Sequence, residues 1–439
     1  MKRNVLIIGA GGVGHVVAHK CAQNNDRLGD IHLASRRVEK CDRIHASVRE
    51  RRSLKAPGLF ETHALDAMDV EATRRLIERT KAGIVINVGA PFINMPVLTA
   101  CLQTGAAYID TAVHEKPDDP FEGPPWYANH EWPRAAECAA AGVTAILGAG
   151  FDPGVVNAYA ALARDAFFDA MDSIDIIDVN AGNHGRYFAT NFDPETNLRE
   201  FRGPVWYWED GGWKSARMFE TRQDWDLPVV GRQATYLTGH DEIHSLSRHM
   251  EVPHIRFWMG FSDHYVSVFR TLDNLGLLSE KPVRTAEGVE VEPIKVVKAV
   301  LPDPASLAAG YTGKTCIGTL VRGRKNGKER EVFIYNVCDH AECYAEVGSQ
   351  AISYTAGVPP VAAALLVADG RWDAGRMVNV EELPPQPFLE LLNRMGLPTR
   401  MREGDKDRAL SFEPACEIMR GELADGRADA RAERRQARR

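Results

Sequence analysis

Residues 4–8, Asn-Val-Leu-Ile-Ile, run straight into Gly9-Ala-Gly-Gly-Val-Gly14, and no other feature of the chain constrains its fold as strongly. A short, β-branched apolar run suits a strand buried on both faces. After the glycines, residues 15–24 place Val16, Val17, Ala18 and Cys21 at helical spacing. Gly9 permits the tight turn out of the strand, Gly11 lets the backbone approach a diphosphate, and Gly14 lets helix and strand pack closely. Gly12 and Val13 complete the loop, and the helix behind them turns unpaired N–H groups and the positive end of its dipole toward a phosphate. A glycine pattern alone is a weak signal. Here a second strand, residues 30–34, follows at the distance a β-α-β unit requires. The residues after it select the dinucleotide. An acidic side chain at this point hydrogen-bonds a ribose 2′-hydroxyl, but this chain has Ser35, Arg36 and Arg37. A hydroxyl and two guanidiniums suit a 2′-phosphate, because arginine pairs bidentately with phosphate and no carboxylate repels it. The reading is NADPH, set against the plainer one of a solvated basic turn.

The alternation continues. Residues 83–92 read as a buried strand ending in a Gly-Ala-Pro loop, and 107–111 and 143–147 as further short strands. Helical stretches lie at 69–81, 96–104 and 133–141. This order indicates an α/β fold, a Rossmann-type doubly wound parallel sheet with ligands at the carboxyl ends of its strands. Asn87, Gly89, Ala90, Pro91 and Phe92 stand at such an end, beside the nicotinamide half of the cofactor. The pattern breaks at GAGFDPG, residues 148–154. Residues 155–168 are helical in character, with Pro153 in a first turn and Asp152 as a natural N-cap. Its position where the chain crosses between domains makes Asp152 equally a candidate cleft residue.

Strand-like runs at 173–180, 203–208, 265–271, 290–300 and 331–338 predict an inserted α+β domain. Aromatic side chains crowd residues 187–225, as core or dimer-interface packing. Residues 346–360 read as a turn, followed at 361–368 by a helix so apolar that it must be buried, most economically against the first domain. The expected division is 1–150 for NADP binding, 151–345 for substrate and dimerisation, 346–415 for a C-terminal helical return to the first domain, and 416–439 for a charged tail.

Composition removes other classes. A net charge of -7 calls for no nucleic-acid partner. No uninterrupted apolar run approaches the ~20 residues of a membrane span, and the N-terminus enters a strand without a signal-peptide core. The expectation is a cytoplasmic protein with no membrane partner. Eight scattered cysteines fit reduced thiols better than a disulfide framework. The cluster from Cys338 to Cys343 lacks a second Cys or His pair at zinc-like spacing, so no metal is expected.

GAGGVG and GDIHLASRR are joined by VINVGAPFINMPVL, YIDTA, GAGFDPGVVNAYA, ATNFDPETNLREFRG, YLTGHDEIHSL and NVCDHAECYAEVGSQAISYTAGVP. Over residues 4–400 these blocks make the chain similar to the carboxynorspermidine (carboxyspermidine) dehydrogenases of the saccharopine dehydrogenase-like superfamily. GFDPG belongs to the whole superfamily, whereas NLREFRG, GHDEIHSL and CDHAECYAEVGSQAISYT point to the narrower group. The resemblance implies reductive condensation of L-aspartate β-semialdehyde with putrescine or 1,3-diaminopropane, the imine taking hydride from NADPH.

That chemistry needs an anchor for one carboxylate, acids for a distal ammonium, and a proton donor. Arg199, in the stretch Asn197-Leu-Arg-Glu200, suits the carboxylate. Glu195, Glu200 or Asp241 suits the cation. His240 and His340, each beside an acid, suit proton transfer, with Asp152 a further candidate by location. A saccharopine-type reductase is the nearest alternative, but its product carries three carboxylates and calls for more cations than the acid- and aromatic-rich middle blocks offer. A homospermidine synthase relative keeps NAD bound, against which Arg36 and Arg37 argue. A non-catalytic NADPH sensor is the alternative from a different class. A homodimer is the expected assembly.

Overall fold

The computed structural model describes residues 2–116 and 122–412. The tail expected at 416–439 lies outside the described residues. Six strands, β1 (Asn4–Ile8), β2 (Ile31–Ser35), β3 (Phe60–Ala64), β4 (Ala82–Asn87), β5 (Ala107–Asp110) and β6 (Ala145–Leu147), join Met377–Asn379 from far along the chain. In space the order is Met377–Asn379, β6, β5, β4, β1, β2, β3, and all these pairings are parallel. The order reverses between β1 and β4, where a doubly wound sheet opens its ligand crevice. Val5, Leu6 and Ile7 are fully buried because helices cover both faces. The α/β Rossmann architecture expected from the sequence is the one observed.

A second, ten-stranded mixed sheet is centred on β7 (Ala170–Asn180). Lys314–Lys325 pairs with it antiparallel on one side and His254–Gly260 parallel on the other. Arg400–Glu403 and Lys406–Ala409 extend the edge beyond Lys328–Asp339. The chain after residue 346 therefore serves both sheets: Met377–Asn379 closes the first and the strands after 400 widen the second.

Four helices position the site: α1 (Gly12–Gln23), α2 (Pro194–Glu200), α3 (Asp241–His249) and α4 (Ala351–Ala368). α4 begins ten residues earlier than the sequence suggested and runs through Pro359 and Pro360. Each proline removes a helical hydrogen bond, yet burial of nearly every α4 side chain, with α1 packed alongside, holds the helix together.

Two runs expected as strands are helices. Residues 265–271 fall in Asp263–Asn274, where Ser262 caps by accepting from the Tyr265 N–H and Val266 and Phe269 are buried three apart. Residues 290–300 fall mostly in Pro293–Val300, with proline in the first turn and Ile294 and Val297 buried. In both, β-branched content imitated a strand while the spacing of buried positions was helical. Asp152 does not cap the helix that follows it. That helix starts at Val155 with Gly154 at its N-cap, and the Gly154 N–H donates to Asn157 Oδ1 at 2.8 Å.

Candidate active site

The cofactor end is made by backbone. Gly9 has φ +117°, and a Cβ there would lie 2.6 Å from Val88 O. A Cβ on Gly14 would lie 2.0 Å from Gly9 O, so helix and strand meet at a distance only glycine allows. Beside Gly11 there is no protein atom within 4 Å of such a Cβ, which leaves the approach a diphosphate needs. The residues present fit a dinucleotide. Arg36 and Arg37 are exposed just past Ser35 at the end of β2. Asn87 is buried at the end of β4, donates to Asn94 Oδ1 at 2.8 Å and accepts from the Gly89 N–H at 3.2 Å. It shapes the turn that carries Ala90 and puts Pro91 on the cavity wall.

A cavity of about 320 Å³ runs from Val13 and Pro91 into the second domain. Five carboxyls line it: Glu115, Asp152, Asp178, Glu200 and Asp241. Glu115 follows the carboxyl end of β5, Asp178 stands near the end of β7, and Asp241 opens α3. Asp241 Oδ2 accepts from the Val113 N–H at 2.7 Å, which ties the two domains together at the cavity. Arg199 brings the opposite charge. Its Nε lies 2.8 Å from Glu280 Oε1, but the N–H is not directed along that line, and Nε and Nη2 are both buried without a hydrogen-bond partner among the described residues. A buried guanidinium with unused donors is built to receive an anion.

His240 stands before α3, stacked on Phe257 with ring centroids 4.1 Å apart. Its Nδ1 is 2.5 Å from Glu242 Oε2 and its Nε2 is 3.7 Å from Glu200 Oε1. Burial alone would depress this imidazole, but Glu242, Asp152 and Glu200 outweigh it and hold its pKa well above the ordinary value. The charged form of the ring is the favoured one. Asp152 and Asp178 are hydrogen-bonded to each other. Burial, then the charge of Asp178, lifts Asp152 far above the carboxylate range, which favours a proton on Asp152. Burial also lifts Glu200 to about 8, Glu115 to about 7, and Asp241 above its ordinary value. Acids gathered this closely ionise together only beside a cation. The opposite wall is aromatic. His244 lies between Trp126 and Trp213, 4.6 and 4.7 Å from their rings, and burial keeps it neutral with a pKa of about 3.

The structure brings together Asp152, Arg199, Glu200, His240 and Asp241, but not Glu195, Asn197 or His340. On α2, Thr196, Arg199 and Glu200 share the cavity face at helical spacing, and the residues between them point elsewhere. Glu195 pairs with Lys298 Nζ at 2.9 Å, and Asn197 Oδ1 accepts from the Tyr265 hydroxyl at 2.8 Å. His340 is off the wall, stacked on Tyr311 at 3.7 Å. Its Nε2 donates to Asn180 Oδ1 at 2.9 Å and its Nδ1 accepts from the Ala351 N–H at 3.1 Å. Burial lowers its pKa to about 4, so it stays neutral with both ring nitrogens committed. Sequence reasoning missed Glu115 and Asp178. Glu115 had a usable signal, its place just past a parallel strand; Asp178 had none beyond being a polar residue in an apolar strand.

Residues 5–146 match the family model described as the saccharopine dehydrogenase NADP binding domain, and residues 150–397 match the saccharopine dehydrogenase C-terminal domain. The carboxynorspermidine synthase of Vibrio alginolyticus is 46% identical over 91% of this chain and 97% of its own. That of Vibrio cholerae is 46% identical over 90% of this chain and 95% of its own. The carboxyaminopropylagmatine dehydrogenase of Synechocystis sp. is 43% identical over 90% of this chain and 96% of its own. Among solved structures, the L-Glu-forming saccharopine dehydrogenase of Saccharomyces cerevisiae matches with a TM-score of 0.67 at 14% identity, over 91% of this chain and 99% of that one, a likeness of fold. The glycine loop, the basic turn after β2 and these matches agree: the chain is an NADP(H)-dependent oxidoreductase and belongs to the saccharopine dehydrogenase family.

Proposed function

We propose that this oxidoreductase joins L-aspartate β-semialdehyde to a primary diamine, putrescine or 1,3-diaminopropane. It then reduces the imine to carboxyspermidine or carboxynorspermidine, a step of polyamine biosynthesis. One observation carries the reading: the cavity at the nicotinamide end has five carboxyls and one arginine on its wall. A product with one carboxylate and a row of cationic nitrogens complements that charge pattern, and a product with three carboxylates does not. The relatives' names support the same chemistry. Two are carboxynorspermidine synthases, and the third name puts a carboxyaminopropyl unit on agmatine, another amine with a cationic far end.

The residues divide the work. Arg199 takes the α-carboxylate of the aldehyde substrate through its unused N–H groups. Glu115 and Asp241 take the distal ammonium and ionise as they do so. Glu200, beside His240, ionises as the substrate's reacting ammonium approaches and then accepts the proton whose loss frees that nitrogen. Attack on the aldehyde carbon gives a carbinolamine, and Asp152 donates its proton to the departing hydroxyl, which leaves as water. The iminium carbon then takes the hydride that NADPH supplies. The proton held by Glu200 returns to the new secondary amine, and Asp152 regains its own from solvent, so one proton is consumed per turnover. The charge of His240 opposes the rise that burial gives Glu200 and Asp152 without cancelling it.

The test follows NADPH absorbance with aspartate semialdehyde and putrescine, diaminopropane, agmatine or no amine, and weighs the product by mass spectrometry. Amine-dependent oxidation yielding the reduced adduct supports the proposal, and the best amine names the product. NADPH binding with no turnover on any of the three amines removes it and leaves an NADP(H) oxidoreductase acting on another aldehyde–amine pair.

A further inference from the structure

Two helices, not one, point their N-termini at the cofactor loop. The N–H groups of Gly12 and Val13 open α1 and have no acceptor among the described residues. The first turn of α4 reaches the same place from the other end of the sequence. A Cβ on Gly12 would lie 2.5 Å from Ser353 Oγ, so the Ser353 hydroxyl touches the loop itself. Ser353 is 9% exposed, lines the cavity with Val13, and makes no hydrogen bond to the described residues. Of the α4 first-turn donors, the Ala351 N–H is taken by His340 Nδ1, and the Tyr354 N–H by Gln350 O at 3.0 Å. Those of Ile352 and Ser353 have no acceptor among the described residues. Four backbone donors and a buried hydroxyl thus converge where two helix dipoles present their positive ends.

We propose that the NADPH diphosphate is bound between the N-termini of α1 and α4, with the Ser353 hydroxyl donating to it. A phosphate oxygen satisfies the Ser353 hydroxyl, which has no partner among the described residues. His340 is then a positioning residue, holding the start of α4 by its N–H. The dinucleotide is held partly by the loop in β1–α1 and partly by a helix of the region that matches the C-terminal domain. The proposal rests on the NADP(H) assignment and is independent of which amine is used.

The test is NADPH affinity of the full chain by fluorescence titration, beside that of 2′-AMP, which carries the 2′-phosphate without a diphosphate. Ser353→Ala, which suits a helix first turn, raises the NADPH Kd about tenfold, as loss of one charge-assisted hydrogen bond does, and leaves the 2′-AMP Kd unchanged. Ser353→Asp puts a carboxylate against the diphosphate and raises the NADPH Kd about a hundredfold, again without moving 2′-AMP. NADPH affinity unchanged in both variants overturns the proposal. So does an equal loss for both ligands, which means the domain has loosened rather than the diphosphate lost a donor.

Discussion

The two ends of the cavity are built from different materials. At the cofactor end the working parts are backbone: a φ of +117° at Gly9, a contact at Gly14 that no side chain fits, and N–H groups at a helix start. At the substrate end they are side chains drawn from residues 115, 152, 178, 199, 200, 240 and 241, and their chemistry comes from burial and mutual charge. Backbone donors do not titrate. Crowded acids do, and each answers to its neighbours' charge, so the substrate end ought to respond to pH while the cofactor end does not.

The largest effect that separates the ends is expected from Asp152→Asn, which keeps the shape and removes the transferable proton. We expect kcat to fall about 10²–10⁴-fold with the NADPH Kd unchanged; turnover near the wild-type rate would take Asp152 out of the proton path. Arg199→Ala comes next. Losing a buried anion anchor costs about 2–5 kcal/mol, so kcat/KM for the aldehyde should drop at least about thirtyfold, with the amine KM far less affected. At the other end, Arg36→Ala combined with Arg37→Ala should weaken NADPH by about tenfold and leave NADH binding as it was. Equal losses for the two dinucleotides would mean that these arginines do not read the 2′-phosphate.

The pH response is smaller and sharper. Burial raises Glu115 to about 7 and Glu200 to about 8, and only the ionised acids hold an ammonium. The amine KM should therefore fall as pH rises from 7 to 8, by at most about tenfold per group per pH unit. Glu200→Gln should remove the upper part of that slope, measured against wild type so that the amine's own ionisation cancels, while the NADPH Kd stays level over the same range. The smallest effect on chemistry belongs to His340. His340→Ala leaves the Ala351 N–H and Asn180 Oδ1 without partners and should lower stability by about 1–3 kcal/mol in denaturant titration. A loss of kcat as large as that of Asp152→Asn would instead return His340 to the catalytic set.

How much of this was legible follows the same divide. Arg199 and Glu200 could be picked out of one short stretch, but so could Glu195 and Asn197, because a seven-residue helix has no marked inner face until its neighbours are known. His240 and His340 looked alike, each beside an acid. One became a ring whose charged form is favoured, between Glu200 and Glu242, and the other a neutral ring with both nitrogens bound. Asp178 escaped notice because a polar residue near the end of a strand reads as solvent-facing. Only the docking of the two sheets turns it inward.

The glycine loop, the basic turn after β2 and five of the first six strands, all but β3 (Phe60–Ala64), could be derived from residue order alone, since their constraints act across a turn or along one short β-α-β unit. The proton on Asp152, the charge on His240, the unused donors of Arg199 and the contact of Ser353 with Gly12 could not. Each depends on burial and on partners tens to hundreds of residues away, and neither quantity exists until the chain has packed.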